Sequence, residues 1–301
     1  MPKIAFLFPG QGAQHVGMAA EICAALPAAR QLFSRAGEVL GYDLLSVCTN
    51  GPKELLDSTA VSQPALYTAS LAALEKLRQD EPEVEKDVVA AAGLSLGEYT
   101  ALTFAGALKF DDGLRLVRAR GEAMQAAADA RASTMSSVLL LEQSHVEEIC
   151  RKASEKGLVR IANFLCPGNL AISGDTAAVE EAERLVGEAG ARAVRLAVAG
   201  AFHTPIMQPA VDRLSTELAS VPLAMPRVPV WANVTASVYT SPEEVRSLLA
   251  RQVVEPVRWE DTMRGMLSSG VDLFYEVGPG RVLTGLLRRM NRSTACRNIP
   301  T

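Results

Sequence analysis

Three residues in this chain have settings suited to chemistry: Ser95, His203 and Arg120. Ser95 lies in Gly93-Leu94-Ser95-Leu96-Gly97, directly after the apolar run 88–92 and before a helix-like stretch from Leu96 to about Ala105. A strand that turns straight into a helix crowds the side chains two places either side of the corner, and glycines remove that clash. A serine at the corner projects at a helix N-terminus, where unpaired N–H groups and the helix dipole favour developing negative charge. The bare pattern also fits a glycine-flanked turn with serine as a helix cap. The strand before it and the helix after it favour a nucleophile.

A serine hydroxyl needs a neighbouring acceptor to become a nucleophile. The chain has three histidines. His145 sits among Glu142, Gln143, Glu147 and Glu148 and reads as a solvated residue at a helix start. His15 follows the loop Gly10-Gln11-Gly12-Ala13-Gln14. His203, in Gly200-Ala201-Phe202-His203-Thr204 between a strand and an apolar helix, is the best general base. The hydrolase order places an orienting acid between nucleophile and base, yet the small domain in that interval offers only surface-like acids. A backbone carbonyl or an amide side chain is the alternative, giving a dyad in place of a triad. The loop after residues 4–8 fails the dinucleotide fingerprint at His15 and lacks the Walker lysine. Its backbone N–H groups, with Gln11, suit an oxyanion.

Asp111-Asp112 caps an expected helix that runs to about Ala128. At about 100° per residue, Leu114, Val117, Gly121 and Met124 form its apolar stripe. Arg115, Arg118 and Glu122 point away, and Arg118 and Glu122 are spaced to pair. Arg120 falls inside the stripe's edge. A guanidinium there keeps its proton and is costly to bury without an anion. That anion is either a protein carboxylate or a substrate carboxylate held bidentately, and reaching out to water is the third solution.

The elements that position these residues follow from patterning. Short apolar runs alternate with helical periodicity, which predicts an α/β protein. Residues 136–141, 144–156, 158–165, 170–173, 176–189 and 191–198 read β-α-β-β-α-β, the ferredoxin-like split βαβ order. Residues 129–198 are therefore expected to form a small inserted domain. Residues 1–128 and 199–301 are expected to form a discontinuous, hydrolase-like large domain with a parallel sheet. With 301 residues, 49% of them hydrophobic, the chain can bury a core without disulfides or metals. Its net charge of −4 gives no global attraction to nucleic acid or an anionic membrane. Five scattered cysteines without a C-x-x-C pair fit a reducing cytoplasm. No apolar run approaches the roughly 20 residues of a membrane span.

Taken together, the motifs resemble the malonyl-CoA:acyl-carrier-protein transacylase family, including polyketide synthase acyltransferase domains. The matching pieces are Phe8 to Gln14, Gly93 to Tyr99, Arg120-Gly121 with Met124, Ala162-Asn163, Gly200 to Thr204, Pro256 to Trp259 and Glu276 to Gly280, in family order. The resemblance implies a hydrolase-like core with a ferredoxin-like insert. It implies a ping-pong transfer of malonyl from coenzyme A to the phosphopantetheine thiol of an acyl carrier protein, for fatty-acid or polyketide synthesis, without bound cofactor or metal. Ser95 would be the nucleophile, His203 the base and Arg120 the receptor for the malonyl carboxylate. The backbone amides of Gln11 and Leu96 would form the oxyanion hole. The segment around Gln252 would orient His203 from its main chain or its amide, and Asn163 would line the site near Arg120. Leu94 departs from the histidine often found before the nucleophile, and no glycine precedes Met135. Ala201-Phe202 resembles the malonyl-type signature. A hydrolase on the same scaffold would share Ser95 and His203, and a non-catalytic carrier-binding module would need neither.

Overall fold

A computed structural model describes residues 2–301. Its strands are β1 (Ile4–Phe8), β2 (Val88–Gly93), β3 (Ser133–Leu139), β4 (Val159–Cys166), β5 (Asn169–Asp175), β6 (Arg192–Arg195), β7 (Val230–Trp231), β8 (Val257–Arg258), β9 (Leu273–Val277) and β10 (Ala295–Ile299). They form two sheets, ordered β10-β9-β1-β2-β7 and β6-β3-β5-β4-β8. Every pairing in the first sheet is parallel. β1 is apolar at all five positions and fully buried, as a central parallel strand covered on both faces requires. The alanines of β2 let helices approach that sheet closely. This is the hydrolase-like α/β architecture expected from the alternating pattern.

The second sheet places its first four strands in the antiparallel ferredoxin-like order, with helices Gln143–Ala153 and Thr176–Glu188 on one face. Period-2 alternation divides its side chains. Val138, Ile161, Leu170 and Ile172 meet those helices, while Met135 and Ala171 turn to the other face and join the main core. Strand bounds shift from the sequence reading, with β3 at Ser133–Leu139 where 136–141 was expected and β5 at Asn169–Asp175 where 170–173 was expected, and three further details differ. A fifth strand, β8, comes from outside residues 129–198 and pairs parallel to β4. The last strand of the motif spans Arg192–Arg195 where 191–198 was expected, because beyond Leu196 the chain leaves the sheet for the Gly200–His203 loop. Helix Phe110–Asp129 starts before the proposed cap. Lys109 is the N-cap, and Asp111 and Asp112 sit in the first turn, where the helix dipole favours acids. Phe110 is held inside the helix by stacking on Tyr67 at 5.7 Å.

That helix lies against Thr59–Asp80, which is buried along most of its length. A Cβ on Gly121 would lie 2.6 Å from the Thr59 carbonyl oxygen, so the glycine sets how closely the two helices approach. Close approach brings Arg120 beside Gln63.

The corner after β2 is packed against β1. A Cβ on Gly97 would lie 2.1 Å from the Phe8 carbonyl oxygen, with backbone on both sides of the contact. Gly97→Ala is expected to lower unfolding free energy by at least about 1–3 kcal/mol, the usual cost of overpacking. Gly285→Ala, at an exposed helical position with nothing within 4 Å, should be neutral or stabilising by about 1 kcal/mol. Urea denaturation of both variants checks this, and equal midpoints for wild type and Gly97→Ala would contradict it.

Candidate active site

The nucleophile corner is built by register. Phe8 and Gly93 are paired at the carboxyl ends of β1 and β2, and the Leu94 N–H donates to the Phe8 carbonyl at 3.1 Å. The loop after β1 and the turn after β2 therefore leave the sheet side by side. Contact is tight enough that a Cβ on Gly10 would lie 2.3 Å from the Leu94 oxygen. Ser95 has φ 51°, a left-handed conformation that non-glycine residues adopt only under constraint. Asn233, just past β7, supplies that constraint. Its Oδ1 accepts the Ser95 N–H at 2.7 Å, and its Nδ2 donates to the Gly93 carbonyl at 2.8 Å. The Ser95 N–H is thus occupied. The N–H groups of Gln11 and Leu96 have no acceptor among the described residues, and both residues line the cavity that contains Ser95.

His203 meets Ser95 from the opposite side, with Nε2 2.9 Å from Oγ. Its Nδ1 lies 2.7 Å from the backbone carbonyl oxygen of Gln252. A carbonyl accepts only, so Nδ1 carries the proton and Nε2 offers its lone pair to the serine. The main chain orients the imidazole, which decides between the two alternatives the sequence left open. Burial foremost, then the nearby Arg120 cation, lowers the His203 pKa to about 4, so the ring is a neutral base at physiological pH. Two serines of the small sheet fix its loop: Ser173 Oγ donates to the Phe202 carbonyl at 2.9 Å, and Ser133 Oγ accepts the Ala201 N–H at 3.1 Å. His145 and His15 are exposed.

Arg120 is 1% exposed and forms no ion pair among the described residues. Its Nη1 donates to Gln63 Oε1 at 2.7 Å; its Nη2 donates to Gln252 Oε1 at 2.9 Å and to Ser95 Oγ at 3.0 Å. The Nε–H has no acceptor among the described residues. The guanidinium carbon stands 5.6 Å from the centre of the Tyr99 ring. Of the three solutions open at the sequence level, a direct protein ion pair and escape to water are both excluded by this geometry. Arg118 behaves as expected and pairs with Glu122 at 2.8 Å near the surface.

The cavity over these groups has a volume of about 330 Å³, with Ser95, His203 and Arg120 in its wall beside Leu94, Met135, Phe202 and Leu286. Asn163 also lines it. It is aimed there by a register shift in β4 between Ile161 and Asn163, because a bulge reverses which face the following side chains occupy. Ile161 meets the helices of the small unit, whereas Asn163 and Leu165 meet the cavity. Leu94 adds apolar wall, not a polar contact.

Sequence reasoning assigned no role to Glu98, Asn233, Gln63 or Tyr239. Glu98 had a signal, an acid in the first turn after the nucleophile, although it reads as an ordinary N-terminal helix residue. The other three lie far away in sequence and carry none.

Residues 5–301 match the family described as acyl transferase domain. The malonyl CoA-acyl carrier protein transacylase of Bacillus subtilis is 42% identical over 294 residues, covering 97% of this chain and 92% of that protein. The chain belongs to the malonyl-CoA:acyl-carrier-protein transacylase family. The mitochondrial member from Mus musculus is 44% identical over 299 residues, covering 95% of this chain and 78% of that protein. A solved malonyl-transacylase, in complex with its type II polyketide synthase acyl-carrier protein, superposes with a TM-score of 0.95 at 37% identity, covering 99% of this chain and 96% of that one.

The tautomer and low basicity of His203 are directly measurable. Nitrogen-15 NMR of the imidazoles should show His203 neutral, with the proton on Nδ1, from pH 8 down to about pH 5. Doubly protonated His203 at pH 6 would contradict the geometry.

Proposed function

We propose that Ser95, His203 and Arg120 carry the transfer of a malonyl group from coenzyme A to an acyl carrier protein. The observation that carries this reading is the Arg120 guanidinium, buried without a protein carboxylate and 3.0 Å from the serine oxygen that would hold the acyl group. His203 Nε2 takes the Ser95 hydroxyl proton as Oγ attacks the malonyl thioester. The Gln11 and Leu96 N–H groups receive the tetrahedral oxyanion. As the intermediate collapses, the C–S bond breaks and His203 returns the proton to the leaving coenzyme A thiolate. Arg120 holds the malonyl carboxylate throughout. The phosphopantetheine thiol of the carrier then gives its proton to His203 and attacks the malonyl-serine; as that intermediate collapses the acyl C–O bond breaks and His203 returns the proton to Ser95 Oγ. Gln252 aims His203 through its carbonyl and Arg120 through its side-chain oxygen. Asn163 lines the acyl pocket.

The chain is an acyltransferase whose substrates are malonyl-CoA and an acyl carrier protein. None of the helices among the described residues is long and apolar enough to cross a membrane. A cytoplasmic enzyme that needs no resident cofactor and supplies extender units for fatty-acid or polyketide synthesis fits the dry Ser–His site and the free thiols. We read residues 1–128 with 199–301 as the catalytic unit and 129–198 as a unit that lines it.

Two measurements test this. Mixing with malonyl-CoA should leave a mass adduct on the peptide containing Ser95, and an adduct that persists in Ser95→Ala removes it as nucleophile. Arg120→Ala should lower kcat/KM for malonyl-CoA by at least about 100-fold, on the scale of hydrogen bonds to charged groups. Acetyl-CoA, which has no carboxylate, should lose far less. Equal losses for both substrates in a folded variant would make Arg120 a general structural residue.

A further inference from the structure

Two carboxylates are fully buried among the described residues, Glu276 and Glu98. Glu276 has a local explanation, since it accepts from the N–H groups of Leu283 and Thr284 and from the Thr284 hydroxyl at a helix start. Glu98 does not cap its own helix. Its oxygens accept the Asn233 N–H at 3.3 Å, the Tyr239 hydroxyl and the Gln252 Nε2. The Asn233 N–H and the Gln252 amide can only donate to it and the Tyr239 hydroxyl is able to, so the pocket can satisfy an ionised carboxylate.

The opposite end of the Gln252 amide accepts from Arg120. A single side chain thus joins a buried anion to a buried cation with no direct contact between them. The amide cannot be reversed. Its Nε2 also donates to the Ser95 carbonyl at 3.0 Å, and a flip would set its oxygen against that carbonyl and the carboxylate while turning its NH₂ towards the guanidinium. An isolated buried ion costs several kcal/mol. Coulomb energy falls only as the inverse of distance, so an anion one amide away still offsets much of that cost. A carboxylate bonded directly to Arg120 would instead occupy the N–H groups that a substrate carboxylate needs.

We infer that Glu98 is the counter-charge of Arg120, a positioning and specificity residue held one amide away so that the guanidinium is balanced yet open to the substrate's carboxylate. This rests on Arg120 being the carboxylate receptor. Burial raises the Glu98 pKa to about 7, against the bonds from Tyr239, Gln252 and Asn233 and the charge of Arg120. At pH 8 the group is ionised.

The role has an unusual signature. Glu98→Gln keeps size and hydrogen bonding, because the Tyr239 hydroxyl can accept as well as donate, and removes the charge alone. The uncomplexed protein should become less stable, since Arg120 is then unbalanced. The affinity for malonyl-CoA should rise by about 3- to 30-fold, because the substrate carboxylate no longer faces a second anion. Acetyl-CoA affinity should change by less than about 2-fold. A merely structural role would weaken both ligands.

The experiment is calorimetric titration of each thioester at pH 8 into Ser95→Ala, alone and combined with Glu98→Gln or with Arg120→Ala. Malonyl-selective tightening in the Glu98→Gln protein supports the inference; an unchanged or reduced malonyl-to-acetyl ratio overturns it. Should that variant fail to fold, Tyr239→Phe titrated at pH 7, where losing the hydroxyl favours a protonated Glu98, must shift the ratio in the same direction by a smaller factor. Any other shift overturns the proposal. Arg120→Ala separates the two claims: if it leaves the malonyl preference intact, the receptor reading itself fails. If it abolishes that preference while Glu98→Gln does not raise it, only the counter-charge fails.

Discussion

The constraint on which the site depends is a cation kept out of water without a direct partner anion. Burying a guanidinium costs several kcal/mol unless its hydrogen bonds and its charge are answered. Here the two answers are divided. Amide and hydroxyl oxygens from Gln63, Gln252 and Ser95 accept three bonds from Nη1 and Nη2 and leave the Nε–H without an acceptor among the described residues, and the charge is answered from Glu98 through Gln252. Those groups come from three separate parts of the chain, around Gln63, around Ser95 and Glu98, and around Gln252. The helix pair joined at Gly121, the nucleophile corner and the Gln252 segment must all be in place before Arg120 is tolerable.

Gln252 is the point at which these requirements meet. Its carbonyl fixes the His203 tautomer, its Oε1 holds Arg120, and its Nε2 ties Ser95 and Glu98. Ser95, His203 and Arg120 are thereby all held by one residue. Rigid first contacts of this kind are what transition-state stabilisation demands, because dipoles fixed in advance cost no reorganisation during the reaction. The low basicity of His203 follows from the same arrangement. A dry ring beside a cation stays neutral and is available as a base.

The two sheets contribute differently. The parallel sheet supplies chemistry at the carboxyl ends of adjacent strands β1 and β2, where backbone N–H groups and a strained serine emerge together. The antiparallel sheet supplies a wall. Its outer face buries two helices, and its inner face presents Met135, Ala171 and Asn163 to the cavity. It also anchors the His203 loop through Ser133 and Ser173. The wall and the base are consequently coupled.

Much of this was legible in the sequence, for local reasons. Gly93 is dictated by contact with Gly97 four places on, so the strand-to-helix corner could be read from spacing, whereas Gly97 answers to Phe8 on the neighbouring strand. The β-α-β-β-α-β order and the parallel core follow from periodicity, which each segment carries by itself. The misplacement of Arg120 on its helix was visible as a phase error against the apolar stripe. What the sequence could not determine was the identity of partners brought from a distance. That His203 is held by a backbone carbonyl, which every residue possesses, has no signature in residue type. Asn233, Gln63, Tyr239 and the distant end of Glu98's network acquire meaning only when separated segments meet. The β4 bulge that aims Asn163, and the β8 strand added to the second sheet from outside residues 129–198, are decided by pairing between strands. Spacing records what a residue does to its neighbours in sequence, and tertiary packing decides which buried donors and acceptors must find each other.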